Sequence, residues 1–250
     1  MNRKLLEACV NSASSAIEAQ RGGADRVELC ENMLEGGCTP SSGTIAFARK
    51  HLKIGLFVMI RPRGSDFLYS EAEFDIMQED VKMAKVLGAD GVVFGILKAD
   101  GTIDSERMKK LVELARPMGI TCHRAFDMTR DPFEALDALI GLGIDRVLTS
   151  GQADSALIGA PLIRKLIAYA NGRIIIMPGH GIKEHNMTEA IRETGATEFH
   201  LYLPKQVPTV MQFIRNNVKM GKPELSEYST TLVDSEKIKM AKKILQAQTT

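Results

Sequence analysis

The feature that most constrains the fold is a motif that occurs four times along the chain. The copies read GGADRVEL (22–29), LGADGVVF (87–94), LGIDRVLT (142–149) and TGATEFHL (194–201). In each copy, a glycine suited to the end of a helix is followed by a tight turn and then by a short strand. Four copies at this spacing predict four double βα units, the pattern of an α/β barrel with eight parallel strands.

Apolar runs between the copies complete the set of eight strands. The predicted strands are 5–10, 26–30, 55–61, 91–96, 119–124, 146–150, 173–177 and 198–203. An open doubly wound sheet is the alternative, but it usually has a glycine-rich phosphate loop after its first strand, where this chain has VNSASS. We therefore predict a single (β/α)8 TIM-barrel domain over 1–250, with 204–234 as an insertion that enlarges the loop after the eighth strand.

Helix-start signals lie between the predicted strands. Ser70 and Glu73 predict a capping box at the start of a helix over 70–87. Asn186 and Glu189 predict a second capping box nearer the C-terminus. These signals support the alternation of strands and helices that a barrel requires.

Composition narrows the class of partner. The 32 basic and 31 acidic residues give a net charge of +1, which offers no electrostatic reason to expect nucleic acid or an anionic membrane. No apolar run approaches the roughly 18 residues of a membrane span, and the start, MNRKLLEACVN, does not resemble a signal peptide. We therefore expect a cytoplasmic protein whose four cysteines are reduced thiols.

The first two strands carry the same unusual pair of residues. LLEACVN and RVELCEN each place a glutamate two residues before a cysteine. Because side chains alternate along a strand, Glu7 shares a face with Cys9, and Glu28 shares a face with Cys30. At equal height on adjacent strands, the two thiols would meet at the C-terminal mouth of the barrel. Paired thiolates suit Cu(I) best, whereas simple core packing is the alternative explanation for these cysteines.

Polar residues also follow the ends of other strands, and they support a second hypothesis. This is a barrel enzyme of lyase, isomerase or hydrolase type that acts on a small anionic metabolite. His123 would be its general acid/base, Glu7 or Glu28 the carboxylate counterpart, and Arg61 and Arg63 would bind the substrate. Further binding candidates are Arg124, Asp127, Ser150 and His200.

An alternative explanation applies to the arginine and the two glutamates. Arg61 could simply form ion pairs with Glu7 and Glu28. The TSG sequence after the sixth strand and the PGHG sequence after the seventh lie where barrels often bind phosphate through backbone amides. Because no residue set specifies a reaction, a binding protein is favoured over an enzyme.

Four stretches resemble the signature blocks of the copper homeostasis protein CutC family. They read GGADRVELCENMLEGGCTPSSG, IRPRGSDFLYS, TCHRAFDM and RVLTSG. The resemblance implies a (β/α)8 barrel, a cytoplasmic homo-oligomer (a dimer or tetramer), and Cu(I) handling, with the copper cysteines of the family falling on Cys9 and Cys30. The chain departs from the family pattern at PGHGI, which introduces His180, and at HLYLPKQV after the last strand. No nucleotide or organic cofactor is indicated.

Overall fold

Eight parallel strands form a nearly closed barrel, which confirms the predicted fold. The computed structural model describes residues 4–218, 220 and 226–248. The strands are Leu5–Val10 (β1), Arg26–Leu29 (β2), Gly55–Met59 (β3), Gly91–Phe94 (β4), Gly119–Cys122 (β5), Arg146–Thr149 (β6), Ile175–Pro178 (β7) and Glu198–Leu201 (β8). They are paired in the order β7-β6-β5-β4-β3-β2-β1-β8, and β7 lies beside β8 to complete the ring.

Helices follow the strands and cover the outside of the ring. They are Ala13–Arg21 (α1), Ser42–His51 (α2), Glu71–Val86 (α3), Ser105–Ala115 (α4), Pro132–Gly141 (α5), Ala160–Ala170 (α6), Met187–Thr194 (α7) and Ser235–Ala247 (α8). Short 3-10 turns occupy Met33–Glu35, Arg124–Met128 and Glu184–Asn186. Among the described residues, no helix has both the length and the apolar character needed to cross a membrane.

One predicted capping box is confirmed and the other is wrong. Ser70 Oγ accepts the backbone N–H of Glu73, and the Glu73 carboxylate accepts the backbone N–H of Ser70. Asn186 makes no capping bond to α7. Its side chain instead accepts from the Lys183 N–H at 2.7 Å and donates to the Gly181 carbonyl at 3.0 Å. A 3-10 turn precedes α7 directly, and the amide side chain stabilises that turn.

The segment after β8 contains a hairpin. Pro204–Pro208 (β9) pairs antiparallel with Ser229–Val233 (β10). The hairpin is held against the barrel because Asn11 donates to the Thr231 carbonyl at 3.1 Å and the Val233 N–H donates to Ser15 at 3.2 Å. Part of the predicted insertion, residues 219 and 221–225, lies outside the described residues.

The N-terminal half of the barrel interior holds a network of buried ion pairs, here called the barrel floor: Glu7, Arg26, Phe57, Arg146 and Glu198. Arg26 donates to Glu7 and also to Glu198 at 2.6 Å, and Arg146 donates to Glu198 at 2.9 Å. The Phe57 ring packs beside both guanidinium groups, 5.0 Å from Arg26 and 5.3 Å from Arg146. The ring fills space left by Gly91 and Gly119, where a Cβ would lie 2.2 and 2.9 Å from Phe57 atoms.

Candidate functional site

A cavity of about 580 Å³ opens at the C-terminal ends of the strands. Strands β8, β1 and β2 contribute one side, the thiol wall: Cys9, Glu28, His200 and Tyr202. The segments after β5 and β7 contribute a second side, and its polar residues, His123, Arg124, His180 and Lys183, are called the cationic wall. Met33, Glu35, Met59, Arg61, Phe67, Leu148 and Ile182 complete most of the lining.

The two predicted metal cysteines do meet, although not in the predicted register. Cys9 is paired with Glu28 across β1 and β2, and Cys30 lies two residues further along. The expectation of equal height was wrong because neighbouring barrel strands are staggered. The Glu28 carboxylate accepts from both thiols at 3.5 Å, and the three ligand atoms lie within 4.8 Å of one another.

Sulfur is concentrated on this side of the cavity. Cys9 and Cys30 pack in one buried cluster with Met59, and Met33 packs against that cluster. Met59 is 4% exposed and is the last residue of β3, the neighbour of β2, where it shares an inward face with Phe57. The sequence interpretation overlooked both methionines, although the alternation of β3 points Met59 inward. The thiols therefore lie among further soft donor atoms.

The pKa values of both thiols are shifted strongly from their ordinary values. The hydrogen bond from Cys30, together with His200, lowers the pKa of Cys9 to about 5 in spite of burial. The same thiol pair and burial raise the pKa of Cys30 well above its ordinary value. One of the two thiols is therefore ready to ionise at neutral pH.

His200 bridges the two glutamates. Its Nδ1 lies 2.7 Å from Glu7 Oε1, and its Nε2 lies 3.8 Å from Glu28 Oε2. Burial lowers the pKa of His200, but Glu28 and hydrogen bonds to Cys9 and Glu7 outweigh it and raise the pKa well above the ordinary value. Burial raises the pKa of Glu28, and among the described residues its Oε1 has no hydrogen-bond partner. An unpaired carboxylate oxygen beside two thiols is a suitable metal ligand.

Two groups of residues have metal-ligand geometry in the described part of the chain. One is Cys9, Glu28 and Cys30, and the other is Glu7, Glu28 and His200. The second group is already satisfied internally because Glu7 is bound by both Arg26 and His200. The first group therefore fits a metal ion better, and its thiols suit a soft ion.

His123 is buried in the cationic wall and is uncharged. Burial, reinforced by Arg61, lowers the pKa of His123 to about 3. Its Nδ1 accepts the backbone N–H of Ala125 at 3.1 Å, so Nε2 carries the proton of the neutral ring. Nε2 has no partner among the described residues. This geometry favours a hydrogen-bond donor over the predicted general base.

Arg61 lines the cavity but is bound to backbone rather than to glutamate. Its guanidinium donates to the carbonyl groups of Glu35, Gly37 and Ser65 at 2.7, 2.9 and 2.8 Å. It also lies 5.0 Å from the Phe67 ring. The alternative of ion pairs between Arg61 and the inward glutamates is wrong, since Arg26 occupies that role for Glu7. Arg61 ties together the loops after β2 and β3.

Arg63 points away from the cavity, contrary to the prediction that it binds substrate there. It donates to Glu73 at 2.6 Å and to Asp66 at 3.1 Å, and its side chain is 34% exposed. The prediction extended the alternation of β3 past Met59, where the strand ends. Beyond that point the loop conformation, and not the strand period, decides where a side chain lies.

Asp127 and Ser150 support the cavity wall from behind. Asp127 accepts the backbone N–H groups of Ser150 and Gln152, each at 3.1 Å to Oδ1. It also accepts from Arg124 Nε at 2.8 Å, while Arg124 Nη2 donates to Ser150 Oγ at 2.9 Å. The backbone amides after β6, where phosphate binding was considered, are therefore occupied by an internal carboxylate. Of this group, Arg124 is the residue that lines the cavity.

Proteins similar in sequence to this chain match it over nearly its whole length. The sequence profile of the CutC family matches residues 4–204. The human protein named copper homeostasis protein cutC homolog is 48% identical over 249 residues, which cover 98% of this chain and 91% of that protein. A family protein CutC from Parabacteroides distasonis is 51% identical over 239 residues, covering 95% and 98% of the two chains.

One solved structure gives the same assignment, and a second shares the fold. The crystal structure of a CutC protein from Streptococcus agalactiae is 35% identical with a TM-score of 0.76, and the match covers 79% of this chain and 97% of that chain. Thiamine phosphate pyrophosphorylase from Pyrococcus furiosus is 16% identical with a TM-score of 0.58, covers 98% of this chain and 96% of its own, and shares the fold alone. The chain belongs to the CutC family.

Proposed function

We propose that this protein binds Cu(I) through the thiolates of Cys9 and Cys30. The observation that carries the proposal is the meeting of two thiols in one buried cluster with two methionines beside them, and Cys9, Met33 and Met59 of this group line an open cavity. Thiolate and thioether sulfur favour Cu(I) over hard cations. The human and mouse relatives are named for copper homeostasis, which is consistent with this ion.

The surrounding acids and His200 adjust the charge of the proposed site. Glu28 lies between the thiols with one oxygen unpaired, so it can act as a third ligand or take a proton that a thiol releases. Glu7 holds His200 at 2.7 Å, and His200 in turn supports ionisation of Cys9. Such partners of metal ligands tune affinity by orienting the ligands.

A titration with Cu(I) against a competing chelator, under anaerobic conditions, tests the proposal. We expect about one Cu(I) per chain for the native protein and none for the double variant Cys9→Ser with Cys30→Ser. Cys38→Ser is the matched control because Cys38 is a free cysteine outside the thiol cluster. Unchanged stoichiometry in the double variant would contradict the proposal, and preference for Zn(II) over Cu(I) would contradict the choice of ion.

We further propose a cytoplasmic location and a homo-oligomer of two or four copies. A reducing compartment would keep the paired thiols available for metal. Exposed apolar side chains on the segment after β9, among them Val210, Met211 and Phe213, offer a surface for association. Light scattering on the full chain tests the assembly, and a monomer at micromolar concentration would contradict it.

A further inference from the structure

We propose that the cationic wall binds a small organic anion, a carboxylate or phosphate ester with an apolar body, in the same cavity as the thiol wall but on residues outside the thiol cluster. The site uses His123, Arg124 and Lys183, which come from the segments after β5 and β7. It does not depend on Cu(I) binding, because none of these residues belongs to the thiol cluster.

The first observation is the unpartnered N–H of His123. The residue is only 3% exposed, and its Nε2–H has no acceptor among the described residues. A buried donor left without a partner costs about 1–3 kcal/mol. Because the ring lines the cavity and cannot readily take a proton, it offers one fixed hydrogen-bond donor to an acceptor atom inside.

The second observation is the fixed orientation of Arg124. Asp127 holds its Nε at 2.8 Å, and Ser150 holds its Nη2 at 2.9 Å. Its Nη1 has no protein partner in the described part of the chain and remains available to a ligand. A guanidinium held in one orientation loses little conformational entropy when it binds a carboxylate or phosphate.

Lys183 and the apolar lining complete the proposed site. The Lys183 ammonium is anchored by donating to the Tyr202 carbonyl at 2.7 Å, which leaves further N–H groups for an anion. Phe67 lies 5.0 Å from the His123 ring, and Leu148 and Ile182 also line the cavity. A volume of about 580 Å³ falls within the range typical of small-molecule sites. The lining acids, Glu28 and Glu35, direct the charged end of a ligand towards the cationic wall.

Isothermal titration of the metal-free full chain with benzoate and phenyl phosphate tests the proposal, with benzyl alcohol as the neutral comparison. We expect at least one of the two anions to bind with a millimolar or lower Kd, and benzyl alcohol to bind at least tenfold more weakly. The two anions distinguish a carboxylate site from a phosphate site. Inorganic phosphate is titrated as well, and binding equal to that of phenyl phosphate would overturn the inferred apolar contact.

The variants locate the site. Arg124→Gln should weaken binding of the anion at least tenfold, whereas Arg63→Gln should leave it unchanged because Arg63 lies outside the cavity lining. The double variant Cys9→Ser with Cys30→Ser should still bind the anion, so failure of the copper proposal would not remove this one. If Arg124→Gln fails to fold by circular dichroism, Lys183→Met serves as the replacement and should weaken binding to a similar degree. Absence of binding by both anions, or native affinity in the folded variant, would overturn the proposal.

Discussion

The floor and the mouth of this barrel are both polar, but they differ in how completely their polar groups are paired. In the floor, Arg26 bonds to two carboxylates, and Glu198 accepts from two guanidinium groups. At the mouth, Glu28 Oε1 and His123 Nε2 are buried without partners among the described residues. Buried polar atoms are normally satisfied, so the difference separates a structural network from a binding site.

The largest effect is expected in the floor. Arg26→Met would leave Glu7 and Glu198 as buried carboxylates with one partner fewer each. We expect the free energy of unfolding to fall by about 3–5 kcal/mol, because removing one member of a buried ion pair strands the other. Urea unfolding measures this, with Lys82→Ala in an exposed surface pair as the control. A loss below about 1 kcal/mol would contradict a structural role for the floor.

A second test concerns how tightly the floor is packed. A Cβ on Gly91 would lie 2.2 Å from Phe57, whose ring lies 5.0 and 5.3 Å from two guanidinium groups. We expect Gly91→Ala to lower the free energy of unfolding by about 1–3 kcal/mol through overpacking. Gly141→Ala is the matched control, since its Cβ would meet nothing within 4 Å at the end of a helix. Equal free energies of unfolding for the two variants would contradict tight packing around the Phe57 ring.

A third test uses pH to examine the mouth. The native state holds the pKa of His123 at about 3, below its ordinary value of 6.5, so the unfolded chain binds the extra proton first as the pH falls. Stability should therefore decline below pH 6.5, by roughly 1 kcal/mol per pH unit for this group. In the His123→Gln variant, the free energy of unfolding measured in urea should decline less between pH 6 and pH 5, because this contribution is missing. The prediction would be contradicted if NMR showed that the His123 ring of the native protein takes up a proton near pH 6.5.

The smallest loss of stability is expected for a substitution of Glu28. This contrasts with the large loss expected for Arg26→Met. Because Glu28 Oε1 has no partner, Glu28→Gln removes a buried carboxylate whose pairing is incomplete. We expect a change of less than about 1 kcal/mol in unfolding, together with a roughly tenfold or greater loss of Cu(I) affinity. A large loss of stability with unchanged affinity would assign Glu28 to the floor instead.

The sequence was most informative where strand alternation applies. The four-fold motif predicted the barrel, and period two placed Glu7, Cys9 and Glu28 inside it. The same rule, applied to Arg26 and Glu198, would have revealed the floor, since Arg26 shares parity with Glu28 and Glu198 with His200. The predicted polar site used residues at the C-terminal ends of the strands, whereas Arg26 and Glu198 are the first residues of theirs.

Prediction failed where a strand ends or where partners compete. Arg61 and Arg63 lie beyond β3, so loop geometry sets their positions. The sequence indicated that the amides after β6 were available for phosphate, but Asp127, which precedes Ser150 by 23 residues, occupies them. The stagger that places Glu28 opposite Cys9 depends on closure of the whole barrel and cannot be read from two strands alone.

The Phe57 ring beside Arg26 and Arg146 is buried together with the ion pairs of the floor, so side chains fill the barrel interior at the N-terminal ends of the strands. The cavity that Cys9 lines opens at the C-terminal ends of the strands, so a metal ion in the proposed site would enter and leave through it. An anion on the cationic wall would lie in that cavity, so its occupancy would change the rate of metal exchange even if it leaves the equilibrium affinity unchanged.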